Sequence, residues 1–222
     1  MKVLDKGSIE LVWSLGDDTT PSKVARTSFH NSDEVRTYEQ DMKLVKYLYK
    51  HRHTTPFEFI QLQFYIKCPM FVGEQILRHR TASINKVSGR YVEFKPEFYV
   101  PAAQNMNEQS KNNKQGRSEE VVAFPNIARN FIITNNMCAY RMYQGLLNEG
   151  VAYEIARMVL PANLYTEFFW SIDMHNFLHF SRLRMDSHAQ WETRQYANAA
   201  FALASEKFPG ICQIFTEESN NG

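Results

Sequence analysis

Cysteine and unbalanced charge are both scarce in this chain of 222 residues. The three cysteines, Cys68, Cys138 and Cys212, are an odd number at spacings that match no metal motif. The sequence therefore predicts free thiols in a reducing compartment and excludes a disulfide framework. Lys and Arg number 25 against 24 Asp and Glu, so the net charge is +1. A general basic field for nucleic acid is excluded, and any anion site must depend on a local group of arginines.

Long apolar runs are also missing. None approaches the ~20 residues that a transmembrane helix needs, and the first residues carry no apolar signal core. We therefore expect a cytoplasmic protein that does not enter a membrane. The composition, 44% hydrophobic and 14% aromatic, is that of a globular protein. The length suffices for one sizeable core, and we treat residues 1–222 as one domain.

The most informative segment is 75–91, where arginines alternate with small polar residues. In order it contains Arg78, His79, Arg80, Ser83, Asn85, Ser88 and Arg90. Guanidinium forks, and backbone N–H groups flanked by small side chains, suit phosphate oxygens. An Arg-His-Arg triplet alone is typical of a basic surface loop. That interpretation does not account for the ordered Ser, Asn, Ser and Arg that follow.

The spacing Arg-His-Arg-x-x-Ser-x-Asn-x-x-Ser-x-Arg resembles the signature of the flavin-dependent thymidylate synthases, and this chain matches every fixed position. Similar segments are His-x-His-x-Thr-Pro-Phe-Glu at 51–58, Ala-Arg-Met-Val-Leu-Pro at 156–161 and Leu-Arg-Met-Asp-Ser-His-Ala-Gln at 183–190. The resemblance implies reductive methylation of dUMP to dTMP. FAD reduced by NADPH would carry the hydride, and methylenetetrahydrofolate would donate the carbon. It also implies a homotetramer with shared active sites and no enzyme nucleophile.

The resemblance also implies roles for individual residues. Arg184 would be catalytic and would face the uracil ring. The implied FAD contacts are Thr55, Arg78, His79, Arg80, Lys86, Asp173, Met174, His175 and His179. The implied dUMP contacts are Gln75, Arg78, Lys86, Val87, Ser88, Gly89, Arg90, Arg157 and Arg184. The entrance for folate or nicotinamide would be lined by His53 and Tyr91. Many family members have Glu at the position of Lys86, so the role of that side chain is open.

Other chemistries fit the residues less well. His175 and His179 share a helical face as in zinc proteases, but Asn176 replaces the Glu that those enzymes require, so we expect no metal. No cysteine lies beside a cation that would activate it, and no base is evident for Ser88, which we expect to bind nucleotide. Arginine is a poor general base because it stays protonated. Arg184 is instead expected to stabilise negative charge on the uracil edge.

Two alternatives remain open at this point. One is a flavin reductase that acts on another substrate, and only Lys86 favours it. The other is a non-enzymatic module that binds a nucleotide or RNA, since arginine-rich loops beside aromatic residues suit RNA. The net charge of +1 opposes the second alternative.

The patterns predict an α+β fold, with an antiparallel sheet packed with helices and a helical half from Glu119 onward. Strict alternation predicts strands at 9–15 and 60–67. Helices are predicted at 31–51 with Asn31 and Glu34 as a capping box, and from Pro69 through His79 with Gln75, Arg78 and His79 on one face.

Further helices are predicted at 119–148, interrupted near Pro125, around Ile155, from Tyr165 to His179, and at 187–208. Residues 92–100 should be extended. Residues 102–118 are rich in Asn, Gln and Lys, so we expect a mobile polar surface loop.

Overall fold

The structure is a computed structural model that describes residues 1–30 and 35–220. The strands are β1 (Lys2–Val3), β2 (Gly7–Leu15), β3 (Gln61–Pro69), β4 (Ser83–Lys86), β5 (Asn107–Gln109), β6 (Arg117–Val121) and β7 (Tyr165–Asp173). The helices are α1 (Thr20–Arg26), α2 (Tyr38–Lys50), α3 (Met70–Ile76), α4 (Pro125–Asn148), α5 (Tyr153–Ala156), α6 (Met174–Arg184), α7 (Trp191–Lys207) and α8 (Pro209–Asn220). The predicted α+β class is confirmed.

The main sheet has the order β1-β2-β3-β7-β4 among the described residues, and every pairing in it is antiparallel. β3 confirms the alternation seen in the sequence. Leu62, Phe64 and Ile66 are buried, whereas the polar residues between them are only partly covered. One face of the sheet therefore packs on α6, α7 and α8 to form the main core.

The strand predicted at 9–15 is present, but the side chains of its C-terminal half lie on the opposite face of the sheet from the one that alternation predicts. The pairing with β3 shifts by one residue, so that Leu11 lies opposite Phe64 and Trp13 lies opposite Gln63. A one-residue bulge moves the following side chains to the opposite face of the sheet. Trp13 and Leu15 are therefore 49% and 53% exposed, although simple alternation placed them with Ile9 in the core.

The helix predicted from Tyr165 is wrong over its first half, because Tyr165–Asp173 forms the strand β7 between β3 and β4. Its buried side chains follow a period of two through Phe168, Trp170 and Ile172. Phe169 lies on the other face and is 42% exposed, so apolar residues on both faces hide this alternation in the sequence. The helix begins only at Met174, where Asp173 Oδ1 accepts a hydrogen bond from Asn176 N at 2.9 Å.

Several predicted helix ends also move. The proposed capping residues Asn31 and Glu34 lie outside the described residues, and α2 begins after a capping box formed by Thr37 and Gln40. α3 ends at Ile76, so Arg78 and His79 lie in the turn that follows and not on the helix. The last predicted helix starts at Trp191 instead of residue 187, and a further helix, α8, follows it.

Residues 107–121 form a hairpin of two strands, which the polar surface loop predicted at 102–118 does not include. Asn107 pairs with Val121 and Gln109 pairs with Arg117. Glu119 therefore belongs to a strand, and the helix predicted from this residue begins at Pro125. The predicted extended chain at 92–100 carries one short bridge, from Phe98 to Leu164.

A second group of buried side chains lies beneath α4, and it consists of Phe94, Phe98, Tyr143, Ala156 and Leu164. In the described ranges, no helix has both the length and the apolar character that crossing a membrane requires.

Candidate functional site

Arg184, in the last turn of α6, lies at the centre of the candidate site. Its Nε donates a hydrogen bond to His79 Nε2 at 3.1 Å, and its Nη2 approaches the backbone oxygen of Gln75 at 3.4 Å. Gln75 is in the final turn of α3, and His79 N donates to Ile76 O at 3.1 Å in the tight turn beyond it. The predicted residues Gln75, His79 and Arg184 are therefore brought together by two helix ends.

The His79 imidazole is neutral at the working pH of most proteins. Burial, with the positive charge of Arg184 as a second cause, lowers the pKa of His79 to about 4. A guanidinium N–H can only donate, so Nε2 accepts from Arg184 and the ring proton lies on Nδ1. The ring also packs edge-on against Phe180, with centroids 5.0 Å apart. His79 thus orients Arg184 through a hydrogen bond and does not neutralise the positive charge of the guanidinium.

Three guanidiniums of the site have no carboxylate partner among the described residues. Across residues 1–30 and 35–220, neither Arg184 nor the exposed Arg78 and Arg80 forms an ion pair. Burial, followed by repulsion from Arg78, lowers the pKa of Arg184. A half-buried guanidinium without a counter-ion is poised to receive an anion or an electron-rich group.

A cleft of about 630 Å³ opens beside this cluster. Its lining includes three of the predicted residues, His53, His175 and His179, together with Tyr49 and Arg182. The ring of His179 lies 6.0 Å from that of His79, so the cleft adjoins the Arg184 cluster. Tyr49 and Arg182 were not predicted from the sequence, and the Arg182 guanidinium donates to Tyr49 Oη at 2.7 Å across the cleft wall.

Other predicted flavin contacts are placed differently. The Met174 side chain is fully buried in the main core, because the first turn of α6 faces the sheet, and it cannot line the cleft. Both carboxylate oxygens of Asp173 accept hydrogen bonds from Asn176, at 2.9 and 2.7 Å. Thr54 lines the cleft, whereas the predicted Thr55 is exposed in the next turn.

A second cationic group is formed by Arg90 and Arg157. Arg90 Nε lies 3.3 Å from Glu154 Oε2, and Arg157 Nε donates to Glu154 O at 3.4 Å. Ser88 Oγ accepts from Arg90 N at 3.3 Å. In the described part of the chain, no hydrogen bond or ion pair joins this group to Arg184. The predicted nucleotide residues therefore lie in two groups.

The turn between these groups has little room. A Cβ on Gly89 would lie 2.0 Å from Phe94 Cε2, so the ring excludes any side chain there. Val87 N donates to Glu167 O at 2.9 Å and extends the edge of β4, with the partly buried Lys86 just before it. Tyr91 is 77% exposed and is free to meet a ligand or a partner.

Comparison with known proteins decides the family. The family model described as thymidylate synthase complementing protein matches residues 10–210. A flavin-dependent thymidylate synthase of Thermus thermophilus is 44% identical over 220 residues, which are 99% of this chain and 79% of that protein. One of Treponema denticola is 44% identical over 225 residues, 100% of this chain and 83% of that protein. The chain belongs to the flavin-dependent thymidylate synthase family.

Solved structures agree with this membership. The crystal structure of a UMP/dUMP methylase from Streptomyces cacaoi bound with 5-Br dUMP superimposes with a TM-score of 0.89 at 28% identity. The match covers 98% of this chain and 97% of that one. The resemblance identified from the signature is therefore confirmed, and this chain shares the arrangement of helices and sheet of the Streptomyces methylase.

The thiols of this family member lie in unfavourable places for catalysis. Burial raises the pKa of Cys68 to about 12 and that of Cys212 to about 11, which keeps both protonated. Cys138 is exposed on α4 and makes no side-chain hydrogen bond in the part of the chain that the structure describes. The described residues also contain no group of three or more His, Cys, Asp or Glu side chains placed to hold a metal ion.

Residues behind Gln75 were missed by the sequence reasoning. The Gln75 amide donates to Gln190 Oε1 and accepts from Thr193 Oγ1 at 3.2 Å. Gln190 in turn donates to Glu192 Oε2 at 3.2 Å. Gln190 ends the family-like segment at 183–190, but nothing in that pattern indicates a contact with residue 75.

Proposed function

We propose that this protein methylates dUMP to dTMP, with a flavin as the hydride carrier. Family membership supports the proposal, because the relatives from Thermus thermophilus and Treponema denticola are flavin-dependent thymidylate synthases. The structural observation that carries it is the group of guanidiniums around Gln75 and His79, which have no counter-ions in the part of the chain that the structure describes. This group lies beside the cleft that His53, His175 and His179 line.

The residues at the site fit FAD. A flavin dinucleotide has an anionic pyrophosphate and flat rings, and the described cleft offers cations together with aromatic and imidazole rings. We propose that Arg78 and Arg80 hold the phosphates and that His175 and His179 border the flavin. When bound, the flavin supplies the hydride that reduces the methylene group to a methyl group. The protein supplies binding, orientation and electrostatics.

Arg184 is proposed to act on the uracil ring as an electrostatic catalyst. Its hydrogen bonds to His79 and to Gln75 O fix the guanidinium plane. Free N–H groups of that plane would then donate to O2 on the N3–C2–O2 edge of uracil, where they stabilise developing negative charge and raise electron density at C5. Because His79 is neutral, the positive charge of Arg184 stays available for the substrate.

The sugar and phosphate of dUMP are proposed to bind Gln75, Ser88, Arg90 and Arg157. Arg90 Nε lies 3.3 Å from Glu154 Oε2, and a dianionic phosphate would compete with that exposed carboxylate. Holding dUMP by several contacts makes its reaction with the bound cofactor effectively intramolecular. Val87 and Gly89 would contribute through their backbone, since Gly89 has no room for a side chain.

We further propose a homotetramer whose subunits complete one another's sites. Exposed apolar side chains on α4 and near α5 support this arrangement, because such patches mark interfaces: Ile127, Phe131, Met137, Met142, Ile155 and Met158. NADPH and methylenetetrahydrofolate are the proposed co-substrates, and His53 and Tyr91 are proposed to line their entrance.

The decisive experiment measures tritium release from dUMP labelled at C5. We expect release that requires both methylenetetrahydrofolate and NADPH, from a protein whose visible spectrum is that of a flavin. Flavin reduction by NADPH without tritium release would instead favour a reductase that acts on another substrate. A colourless protein that binds RNA would favour the non-enzymatic module.

Lys86 is the one residue that favours the reductase, because many family members have Glu there. Its side chain is partly buried on β4, at the edge of the sheet. If Lys86 contacts the nucleotide phosphate, Lys86→Glu weakens dUMP binding, and the loss shrinks as salt is added. Unchanged affinity at low and high salt would exclude a phosphate contact by this side chain.

A further inference from the structure

A buried carboxylate lies behind Gln75 in the wall of a cleft of about 1190 Å³, which Gln190 also lines. Glu192, near the start of α7, is only 4% exposed. Its Oε1 accepts hydrogen bonds from Tyr99 Oη and Arg117 Nη1, both at 3.1 Å. Its Oε2 accepts from Gln190 Nε2 at 3.2 Å. Both oxygens are therefore satisfied, and a buried charge with this many donors has a defined orientation.

This carboxylate sets the direction of a chain of amides. A carboxylate only accepts, so Gln190 must present its Nε2 to Glu192 and its Oε1 to Gln75. Gln75 must then donate through Nε2, and its Oε1 accepts from Thr193 Oγ1 at 3.2 Å. The amide orientation of Gln75 is thus determined by a charge two residues away in the network.

The hairpin formed by β5 and β6 holds the other side of Glu192. The Arg117 guanidinium donates to Glu192, and the same Nη1 also donates to Asn105 O at 3.1 Å. Arg117 stacks over the ring of Trp191, with 4.9 Å from Cζ to the centroid. Segment 102–121 therefore contributes the counter-ion of the buried charge, in spite of its polar composition.

We propose that Glu192 is a positioning residue for the nucleotide. Through Gln190 it fixes the orientation of the Gln75 amide. Arg117 of the hairpin neutralises the charge of Glu192 and holds its carboxylate in place. The inference rests on the proposed role of Gln75 in binding dUMP. Glu192 does not touch the substrate in this scheme. It fixes the Gln75 amide so that the second N–H of Nε2 and the second lone pair of Oε1, which Gln190 and Thr193 do not use, point in a defined direction toward the nucleotide.

The first test is Glu192→Gln, which keeps the shape but can present either an N–H or an oxygen to Gln190. We expect KM and Kd for dUMP to rise about tenfold, the value of one charge-assisted hydrogen bond. We expect kcat, flavin content and KM for NADPH to stay close to wild type. The matched control is Glu120→Gln on β6, where the exposed side chain makes no hydrogen bond or ion pair among residues 1–30 and 35–220. It should leave every value unchanged.

A double variant separates positioning from stability. Arg117→Gln leaves the Glu192 charge buried without its counter-ion and should lower the thermal midpoint. Arg117→Gln with Glu192→Gln removes both charges, so the midpoint should recover while the dUMP Kd stays raised. Wild-type dUMP affinity in either variant that carries Glu192→Gln would overturn the inference.

The proposed function has its own readout in the same experiment. Wild-type protein that binds dUMP in a calorimeter but releases no tritium would overturn the synthase activity alone. The ratio of dUMP Kd values between Glu192→Gln and wild type would still decide the positioning role.

Discussion

Replacing Arg184 by alanine tests the electrostatic role most directly. The side chain donates to His79 at 3.1 Å and to Gln75 O at 3.4 Å, and it has no carboxylate partner in the described ranges. If its remaining N–H groups stabilise charge on uracil, losing them raises the barrier by about 2.7–4 kcal/mol. Turnover should therefore fall by a factor of about 100 to 1000, measured as tritium released from dUMP under saturating co-substrates.

The cost to folding is a separate quantity, which the thermal midpoint measures. Arg184→Ala removes a cation from the last turn of α6, worth about 0.3–1 kcal/mol, and two hydrogen bonds, to His79 and to Gln75 O, worth about 1 kcal/mol each. For a chain of this size each kcal/mol shifts the thermal midpoint by about 2–4 °C. The variant should thus stay folded and keep its flavin, so that lost turnover reports on chemistry.

Two variants accompany this measurement. Lys207→Ala removes an exposed cation from the last turn of α7 and should leave turnover unchanged, which controls for the helix-terminal effect. Arg184→Lys keeps the charge but loses the planar fork, so its turnover should lie between those of alanine and wild type. Wild-type turnover in folded Arg184→Ala would refute the electrostatic role.

Three further outcomes follow from the same structure. The pKa of His79 is lowered from 6.5 to about 4, so between these pH values the unfolded chain binds a proton that the folded chain does not, and the free energy of unfolding decreases as pH falls. His79→Gln should reduce this decrease, measured by urea titrations at several pH values. An unchanged pH dependence would contradict the assignment. Gly89→Ala should lower the free energy of unfolding by about 1–3 kcal/mol and weaken dUMP binding, because its Cβ would lie 2.0 Å from Phe94. Gly145→Ala is the control and should not destabilise the protein, because no described atom outside its own helical turn lies within 4 Å of the added Cβ. Equal thermal midpoints for the two variants would contradict the steric account. Replacing each of the three cysteines by serine should preserve turnover, because catalysis needs no thiol. A covalent adduct between a cysteine and the nucleotide, detected by mass spectrometry, would refute this.

Some structural expectations failed for reasons that are not local. The strand β7 was predicted as a helix because apolar side chains occupy both of its faces, and its pairing partners β3 and β4 lie about 100 residues and 80 residues earlier in the chain. The bulge in β2 likewise becomes visible only when Trp13 is seen opposite Gln63. The spacing of apolar residues gives information about one segment of the chain at a time, whereas strand pairing depends on segments that are far apart in the sequence.

The amino-acid sequence by itself determined the family, the α+β class and the strand β3, because spaced identities and strict alternation are local properties of the chain. It also singled out Gln75, His79 and Arg184 as candidate residues, but only through resemblance. The tertiary structure alone decided that Arg184 meets His79 across 105 positions, that Met174 belongs to the core, and that Glu192 lies behind Gln75. These contacts arise where helix ends from distant segments converge, so the direction and burial of each side chain depend on packing that no local pattern encodes.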